Sequence, residues 1–169
     1  MKSLSIRNAN TMDIESIVKV RRTAFTDEEV RGFTPQEHSI FYLCSRLKKA
    51  WENENRLKDG WEIYVANYSG SIVGFIVFKV ENGVGYIDNT NVAKKQQGKG
   101  VGKALVSHVE EVARSRGIYV MQTDTTENAK GIPWHSYGFW TKMGYKDTGD
   151  RLPTKWDFKE IRFVKKLTF

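Results

Sequence analysis

The chain has 169 residues, of which 40% are hydrophobic and 28% are charged, and it contains only 3 prolines. This composition excludes a disordered chain, and the length predicts a single domain over residues 1–169 with a substantial core. Lysine and arginine (27) outnumber aspartate and glutamate (20), and the net charge of +7 suits nucleic acid, an acidic surface or a polyanionic small molecule. Because the lysines are scattered, without a basic run or interleaved aromatics, nucleic acid is the less favoured partner.

The chain carries no targeting pattern. Residues 1–14 lack the apolar core of a signal peptide, and no run approaches the ~20 apolar residues that cross a bilayer. We therefore predict a cytoplasmic protein without a membrane partner. Cys44, the single cysteine, cannot form an internal disulfide, and its register with Ile40, Leu47 and Trp51 predicts a buried structural thiol.

The first predicted elements are a strand and two helices. Residues 4–7 form the strand, and a helix follows that Asn10 or Thr11 would cap. The apolar residues of that helix lie at helical spacing: Ile14, Ile17, Val18 and Phe25. A second helix begins at the capping sequence of residues 34–37 and is predicted to run to about residue 58.

The central region changes to the period of strands. Residues 61–67, 72–80 and 86–93 are rich in β-branched and aromatic side chains and predict an antiparallel meander. A glycine-rich loop follows, and behind it an apolar stripe predicts a helix that ends near Gly117. His108 lies on that stripe and is interpreted as a core histidine rather than a ligand.

The last third of the chain predicts a strand, a helix and a final strand. Residues 118–124 form the first strand, and residues 156–167 form the last. Between them lies a helix with Pro133 at its start and Gly144 at its end. Together with the earlier elements, this order predicts a mixed α/β sheet in which a central strand leads into the glycine loop.

The stretch QQGKGVGKAL, residues 96–105, resembles three phosphate-binding patterns, and two of them fail. A Walker-type loop needs a glycine and a hydroxyl where the chain has Gln97 and Ala104. A dinucleotide fingerprint needs a glycine where the chain has Lys103. The third pattern begins with Gln or Arg, has Gly three positions later and ends with Gly or Ala five positions later. Residues 97–102 fit this pattern.

This loop has more glycine and more charge than a turn requires. Glycines allow close approach of the backbone, and a helix N-terminus carries about half a positive charge, so the stretch suits a phosphate-bearing ligand. A glycine-rich turn without a ligand is the other interpretation. The residues that favour a ligand are Gly98, Gly100, Gly102, Gln97, Lys99 and Lys103.

With this loop the protein resembles the GNAT superfamily of N-acetyltransferases. Gly74 in a strand, the late stretch Phe139–Tyr145 and the opening TMDI stretch are similar to other motifs of the family, in the same order. The resemblance covers most of residues 4–145. It implies an α/β (α+β) fold, with a mixed, mostly antiparallel twisted sheet of about six or seven strands and about four flanking helices.

The resemblance also implies acetyl-CoA as the cosubstrate and no metal. Backbone N–H groups of the loop would bind the pyrophosphate, and the strand end before the loop would pair with the pantetheine arm. Trp140 stands where the family has a tyrosine that protonates the leaving thiolate. The residues implied for acetyl-CoA binding are Asn91, Val92, Ala93, Gln97, Gly98, Lys99, Gly100, Val101, Gly102, Lys103, Asn128 and Trp140.

Acetyl transfer to an amine needs a base, because alkyl amines are mostly protonated at neutral pH. Tyr86 and Asp88 share one face of the strand that leads to the loop. Asp88 is either the base and ammonium ligand or a structural carboxylate, and Asp124 and Tyr86 are further candidates. Tyr137, on nearly the same helical face as Trp140, would protonate the thiolate or simply pack.

The acceptor is predicted from analogy and charge. Residues 26–60 would carry acceptor specificity, and Asp27, Glu28 and Glu29 would either attract a cationic amine or be solvated. We predict an acetyl-CoA-dependent N-acetyltransferase whose acceptor is a small amine, a polyamine, or a peptide N-terminus or lysine, attacking directly in a ternary complex. The alternative is a non-catalytic acyl-CoA-binding or basic nucleic-acid-binding module. A homodimer is compatible with either.

Overall fold

The computed structural model describes residues 3–24, 60–154 and 157–169. The predicted helix from residue 34 to about residue 58 lies outside them, as do Phe25 and Cys44. The described strands are β1 (Leu4–Asn8), β2 (Glu62–Tyr68), β3 (Ser71–Glu81), β4 (Val84–Val92), β5 (Val120–Glu127), β6 (Lys146–Pro153) and β7 (Lys159–Lys166). The described α-helices are α1 (Ile14–Thr23), α2 (Val101–Ser115) and α3 (Ser136–Lys142).

The seven strands form one mixed sheet in the order β1-β2-β3-β4-β5-β7-β6. β4 and β5 are parallel, whereas the pairs β1–β2, β2–β3, β5–β7 and β6–β7 are antiparallel. The prediction of a mixed, mostly antiparallel α/β sheet is therefore confirmed. The described residues contain three flanking α-helices, where about four are expected for the whole chain.

The entry into α1 is fixed by side-chain caps on a 3-10 turn at Thr11–Asp13. Asn10 Oδ1 accepts a hydrogen bond from the Met12 N–H at 2.9 Å, and Asp13 Oδ2 accepts one from the Asn10 N–H at 2.9 Å. The guanidinium of Arg7 also binds Asp13, and this hydrogen bond lowers the pKa of that carboxyl. Of the two predicted caps, Asn10 is the one used.

The described chain divides into two compact units. The first unit comprises Met1–Lys79 and Asn89–Val109. Its core forms where alternate residues of β2 and β3 face the apolar side of α1, as the period-2 and 3.6 patterns require. The buried members of this core are Ala9, Ile17, Val20, Ile63, Val65, Phe75 and Val77.

The second unit comprises Val80–Asp88 and Glu110–Phe169. In it, Glu110 is buried and pairs with Lys165, whose Nζ lies 2.8 and 3.0 Å from its two carboxylate oxygens. The hydroxyl of Tyr145 donates to the same carboxylate at 3.1 Å. This network satisfies a charge that burial would otherwise penalise.

The predicted start of the last helix at Pro133 is wrong, because α3 begins at Ser136. Pro133 instead forms an isolated bridge with Glu127, and the Trp134 N–H donates to the Thr126 carbonyl at 2.7 Å. These residues therefore pair antiparallel with the end of β5 and are not helical. The predicted end is confirmed, since Gly144 follows α3 with a φ of +85°.

Candidate active site

The glycine loop lies in the first unit, between a 3-10 turn at Lys94–Gln96 and the start of α2. Gly98 and Gly100 have φ angles of +74° and +84°, a region that residues with a Cβ rarely adopt. A Cβ built on either glycine would meet nothing within 4 Å. The glycines are therefore needed for backbone conformation, and the space in front of them is open to a ligand.

The start of α2 offers donors for an anion. The Ala104 N–H donates to the Gly100 carbonyl at 2.9 Å, and the N–H groups that precede it in the helix have no intrahelical acceptor. Lys99 and Lys103 are exposed beside them, and Lys99 Nζ contacts Gln96 Oε1 at 3.3 Å. Open glycines, first-turn amides and two exposed cations together fit a pyrophosphate.

The strand end before the loop is held tightly by its neighbours. The Ala93 N–H donates to the Val73 carbonyl at 2.9 Å, and Asn91 Oδ1 accepts from Arg21 Nη1 at 2.7 Å. A Cβ on Gly74 would lie 3.1 Å from the Asn91 carbonyl oxygen and equally close to side chains of α2. Gly74 therefore permits close packing, which is a structural role for that motif position.

Gln97 bonds to the protein itself. Its Nε2 donates to the Ala24 carbonyl at 2.8 Å and to the Val92 carbonyl at 2.9 Å. A side-chain amide has two donor hydrogens, and both are engaged here. Gln97 therefore connects the end of β4 with the residue that follows α1.

In the second unit, charged side chains collect on one face of β4, β5 and β7. Tyr86 pairs with Gln122 across the parallel strands, and Asp124 lies opposite Arg162 across the antiparallel pair. Period 2 therefore places four candidates on this face, of which the first three are predicted from the sequence: Tyr86, Asp88, Asp124 and Glu160.

The carboxylates on this face differ in their surroundings. Arg162 Nε lies 3.2 Å from Asp124 Oδ1, so Asp124 is ion-paired. Asp88 is exposed. Glu160 is partly buried, and burial, followed by the charges of Asp124 and Asp88, raises the pKa of its carboxyl. A carboxylate with a raised pKa is a better proton acceptor near neutral pH.

Glu160 and Arg162 are functional candidates that are not among the residues predicted from the sequence. They lie on β7, and their alternation with the buried Ile161 and Phe163 is the signal that places them on the other face. Their neighbour Asp124 is far away in the sequence, so no local pattern reveals the grouping.

Tyr137 takes part in a network with three charged residues. Its hydroxyl donates to Asp147 Oδ2 at 3.1 Å, and Arg151 binds both oxygens of Asp147 at 2.9 Å. Arg151 also contacts Glu127 at 3.0 Å. The hydrogen bond from Arg151 is the main cause that lowers the pKa of Asp147 to about 2, whereas burial and Asp147 raise the pKa of Tyr137.

Two residues implied for the cofactor have contacts within the protein. Trp140 is buried and its ring packs at 5.1 Å against Tyr145. Asn128 Oδ1 accepts from the N–H groups of Lys130 and Ile132 at 2.9 and 3.0 Å, which closes the turn after β5.

His108 packs its ring at 4.8 Å from that of Tyr64, and burial lowers the pKa of His108.

The remaining predictions concern the acceptor residues, a metal site and a membrane span. Asp27, Glu28 and Glu29 lie outside the described residues. Within the described ranges, no group of three or more histidines, cysteines or acids is placed to hold a metal ion. No helix in the same ranges has the length and hydropathy to span a bilayer.

The fold and the loop define a class of protein, and comparison with known families agrees. Residues 22–139 match the family model described as the acetyltransferase (GNAT) family. This match covers most of the chain, and the chain belongs to that family. The resemblance inferred from the loop, from Gly74 and from the late helix is thereby confirmed.

Particular relatives extend the comparison. A glucosamine 6-phosphate N-acetyltransferase from Candida albicans is 33% identical over 92 residues, which are 50% of this chain and 57% of that protein. The chain therefore matches little more than half the length of this relative. A GNAT-family protein from Desulfovibrio desulfuricans superposes with a TM-score of 0.79 at 16% identity, covering 98% of this chain and 100% of that one.

A third protein was solved with its cofactor. The PaiA N-acetyltransferase of Thermoplasma acidophilum, in complex with coenzyme A, has a TM-score of 0.68 at 17% identity. The superposition covers 97% of this chain and 99% of that one. At such low identity, both structures establish the fold that the chains share.

Proposed function

We propose that this protein is an N-acetyltransferase that uses acetyl-CoA as cosubstrate and a primary amine as acceptor. The observation that carries the proposal is the loop at the start of α2. There, two left-handed glycines, Gly98 and Gly100, leave open space in front of first-turn amides and exposed lysines. Membership of the GNAT family supports the same conclusion.

The protein binds the cofactor mainly through backbone groups. The amides from Gly98 to Lys103 bind the pyrophosphate, with Lys99 and Lys103 adding charge. The backbone of Asn91 and Val92 pairs with the pantetheine arm through groups other than the Ala93 N–H, which is bonded to Val73, and the Val92 carbonyl, which accepts from Gln97. When bound, acetyl-CoA supplies the acetyl group as an activated thioester.

The acceptor amine has to lose a proton before it attacks. We assign this proton to Asp88, because its exposed position allows contact with an amine from solvent. Asp124 is held by Arg162, which favours a role in orienting the neighbouring groups. Glu160, with its raised pKa, is the second proton acceptor on this face. The carboxylates of Asp88, Asp124 and Glu160 on this face also suit a cationic acceptor.

The leaving thiolate has to gain a proton. Tyr137 is the proposed donor. Its hydroxyl donates a hydrogen bond to Asp147 at 3.1 Å, so this bond has to break before the hydroxyl can donate to the thiolate. Water is the alternative donor. Trp140, at the position of the family's tyrosine, has an indole N–H that is too weak an acid for this step.

An acetyl-transfer assay tests the proposal. Purified protein is mixed with acetyl-CoA and a panel of primary amines that includes an amino sugar phosphate, a polyamine and a peptide, and the release of free thiol is measured. We expect amine-dependent thiol release. Binding of coenzyme A without thiol release across the panel would indicate an acyl-CoA-binding module instead. Cytoplasmic location and a homodimer remain predictions, which cell fractionation and gel filtration would test.

A further inference from the structure

Two side-chain contacts join the end of α1 to the end of β4, and both lie within the first unit. Gln97 Nε2 binds the carbonyls of Ala24 and Val92 at 2.8 and 2.9 Å. Arg21 Nη1, from the last turn of α1, binds Asn91 Oδ1 at 2.7 Å. Ala24 and Asn91 are both buried. The cofactor strand is thus tied to α1 immediately before the loop begins.

Both carbonyls that Gln97 binds lie at the ends of regular elements. Ala24 is the residue that follows α1, and the carbonyls at the C-terminus of a helix have no intrahelical donor. Val92 is the last residue of β4, where the ladder ends. Ala24 is buried and Val92 is partly buried, and leaving such carbonyls without a donor is costly, so the amide of Gln97 holds both backbone segments in place.

We propose that Gln97 is a positioning residue, which sets the path of the glycine loop by joining the end of β4 to the end of α1 and does not itself bind the cofactor. The inference rests on the proposed binding of acetyl-CoA at this loop. It also explains why the sequence pattern accepts Gln or Arg at this position. Both side chains are long and end in several N–H donors, which is what two carbonyl acceptors require.

Calorimetric titration with coenzyme A tests the inference. Gln97→Leu keeps much of the bulk of the side chain and removes both donors, so we expect the dissociation constant to rise about tenfold, as for a lost hydrogen bond. Gln97→Arg restores donors and is expected to stay within about threefold of wild type. The matched control is Gln96→Leu, the same change one position earlier, which removes the contact with Lys99.

A second measurement separates positioning from direct contact. If Gln97 holds α1 to β4, Gln97→Leu lowers the melting temperature without coenzyme A, and Gln97→Arg restores it. A direct ligand of the cofactor would change affinity and leave that melting temperature unaltered, which would overturn the inference. In the transfer assay, KM for acetyl-CoA is expected to rise while kcat at saturation stays near wild type.

The outcomes are distinct from those that test the proposed function. Wild type that fails to bind coenzyme A would overturn the function and this inference together. Wild type that binds, with a Gln97→Leu variant that binds equally well, would overturn only the role of Gln97. If Gln97→Leu does not fold, Gln97→Asn decides, because its shorter amide keeps the donors but cannot span both carbonyls. Equal affinity in that variant would also refute the bridge.

Discussion

The loop of the first unit and the charged face of the second unit would contribute to the reaction by different physical means. In the loop the important groups are backbone amides. Gly98 and Gly100 allow the backbone conformation that exposes these amides, because they have no side chain. On the charged face the important groups are side-chain carboxylates, and burial and neighbouring charges raise the pKa of one of them, Glu160. Shape should therefore govern cofactor affinity, and charge should govern turnover. The predictions below test that separation.

The largest effect is expected at Gly100. A valine there has to adopt a φ near +84° and places its side chain in the space in front of the amides, so binding of coenzyme A should be abolished. Thermal melting reads the result: a ligand at 100 times its dissociation constant adds ~2.7 kcal/mol, or several degrees for a domain of this size. Wild type should show this shift and Gly100→Val none.

Two controls isolate the cause of that effect. Gly70→Val carries a similar backbone strain, at a φ of +85° with open space around it, but in the turn between β2 and β3. It should lower the melting temperature and keep the shift with coenzyme A. Lys99→Ala removes one exposed charge and should weaken binding modestly. A folded Gly100→Val variant that shifts like wild type would show that the loop is only a turn.

The next effect is expected at Asp88 and should appear in turnover alone. Asp88→Asn keeps the shape and removes the proton acceptor, so kcat should fall ~10²-fold while the affinity for coenzyme A is unchanged. Thiol release across pH measures it. Tyr86→Phe and Asp124→Asn are the comparison variants, and Glu160→Gln tests the second acceptor. An Asp88→Asn variant with an unaltered pH–rate profile would reject the assignment.

Two carboxylates of the second unit should respond to pH with opposite signs. Asp147 has a pKa lowered from 3.8 to about 2, so its contribution to stability is present above pH 3.8 and is lost as pH falls toward 2. Asp147→Asn should therefore destabilise the protein at neutral pH, and the difference should shrink in acid. Denaturant unfolding at several pH values measures it.

Glu160 provides the opposite case. Its pKa is raised, so the folded state favours the protonated carboxyl and loses stability as pH rises past the ordinary value of 4.5. Glu160→Gln should stabilise the protein at neutral pH relative to wild type, with a smaller difference in acid. Equal stability of this variant at every pH would show that the charge of Glu160 is not penalised.

The smallest effect is expected at Tyr137. Its hydroxyl donates to Asp147, and a thiolate is a good leaving group, so Tyr137→Phe should lower kcat less than about tenfold. The affinity for coenzyme A should not change. Assays at saturating acetyl-CoA measure the ratio of kcat for wild type to kcat for the variant. A loss of ~10²-fold or more would instead make Tyr137 the principal proton donor.

The sequence by itself determined the loop, because the information there is local. Three glycines, the absence of a Walker hydroxyl at Ala104 and the helical stripe behind the loop lie within one short stretch. The same holds for Gly144 at the end of α3 and for a cap before α1, although the sequence left Asn10 and Thr11 as alternatives for that cap. Such features depend on steric limits of neighbouring residues, which a sequence displays directly.

Only the tertiary structure decided which groups meet. Gln97 and Ala24 are 73 residues apart, and Asp124 and Arg162 are 38 apart, so no periodicity could pair them. The start of α3 was mispredicted because the bridge between Pro133 and Glu127 holds the chain extended, although proline suits a helix start. Contacts of this kind depend on strand order and register, which arise from burial of the whole sheet rather than from any local pattern.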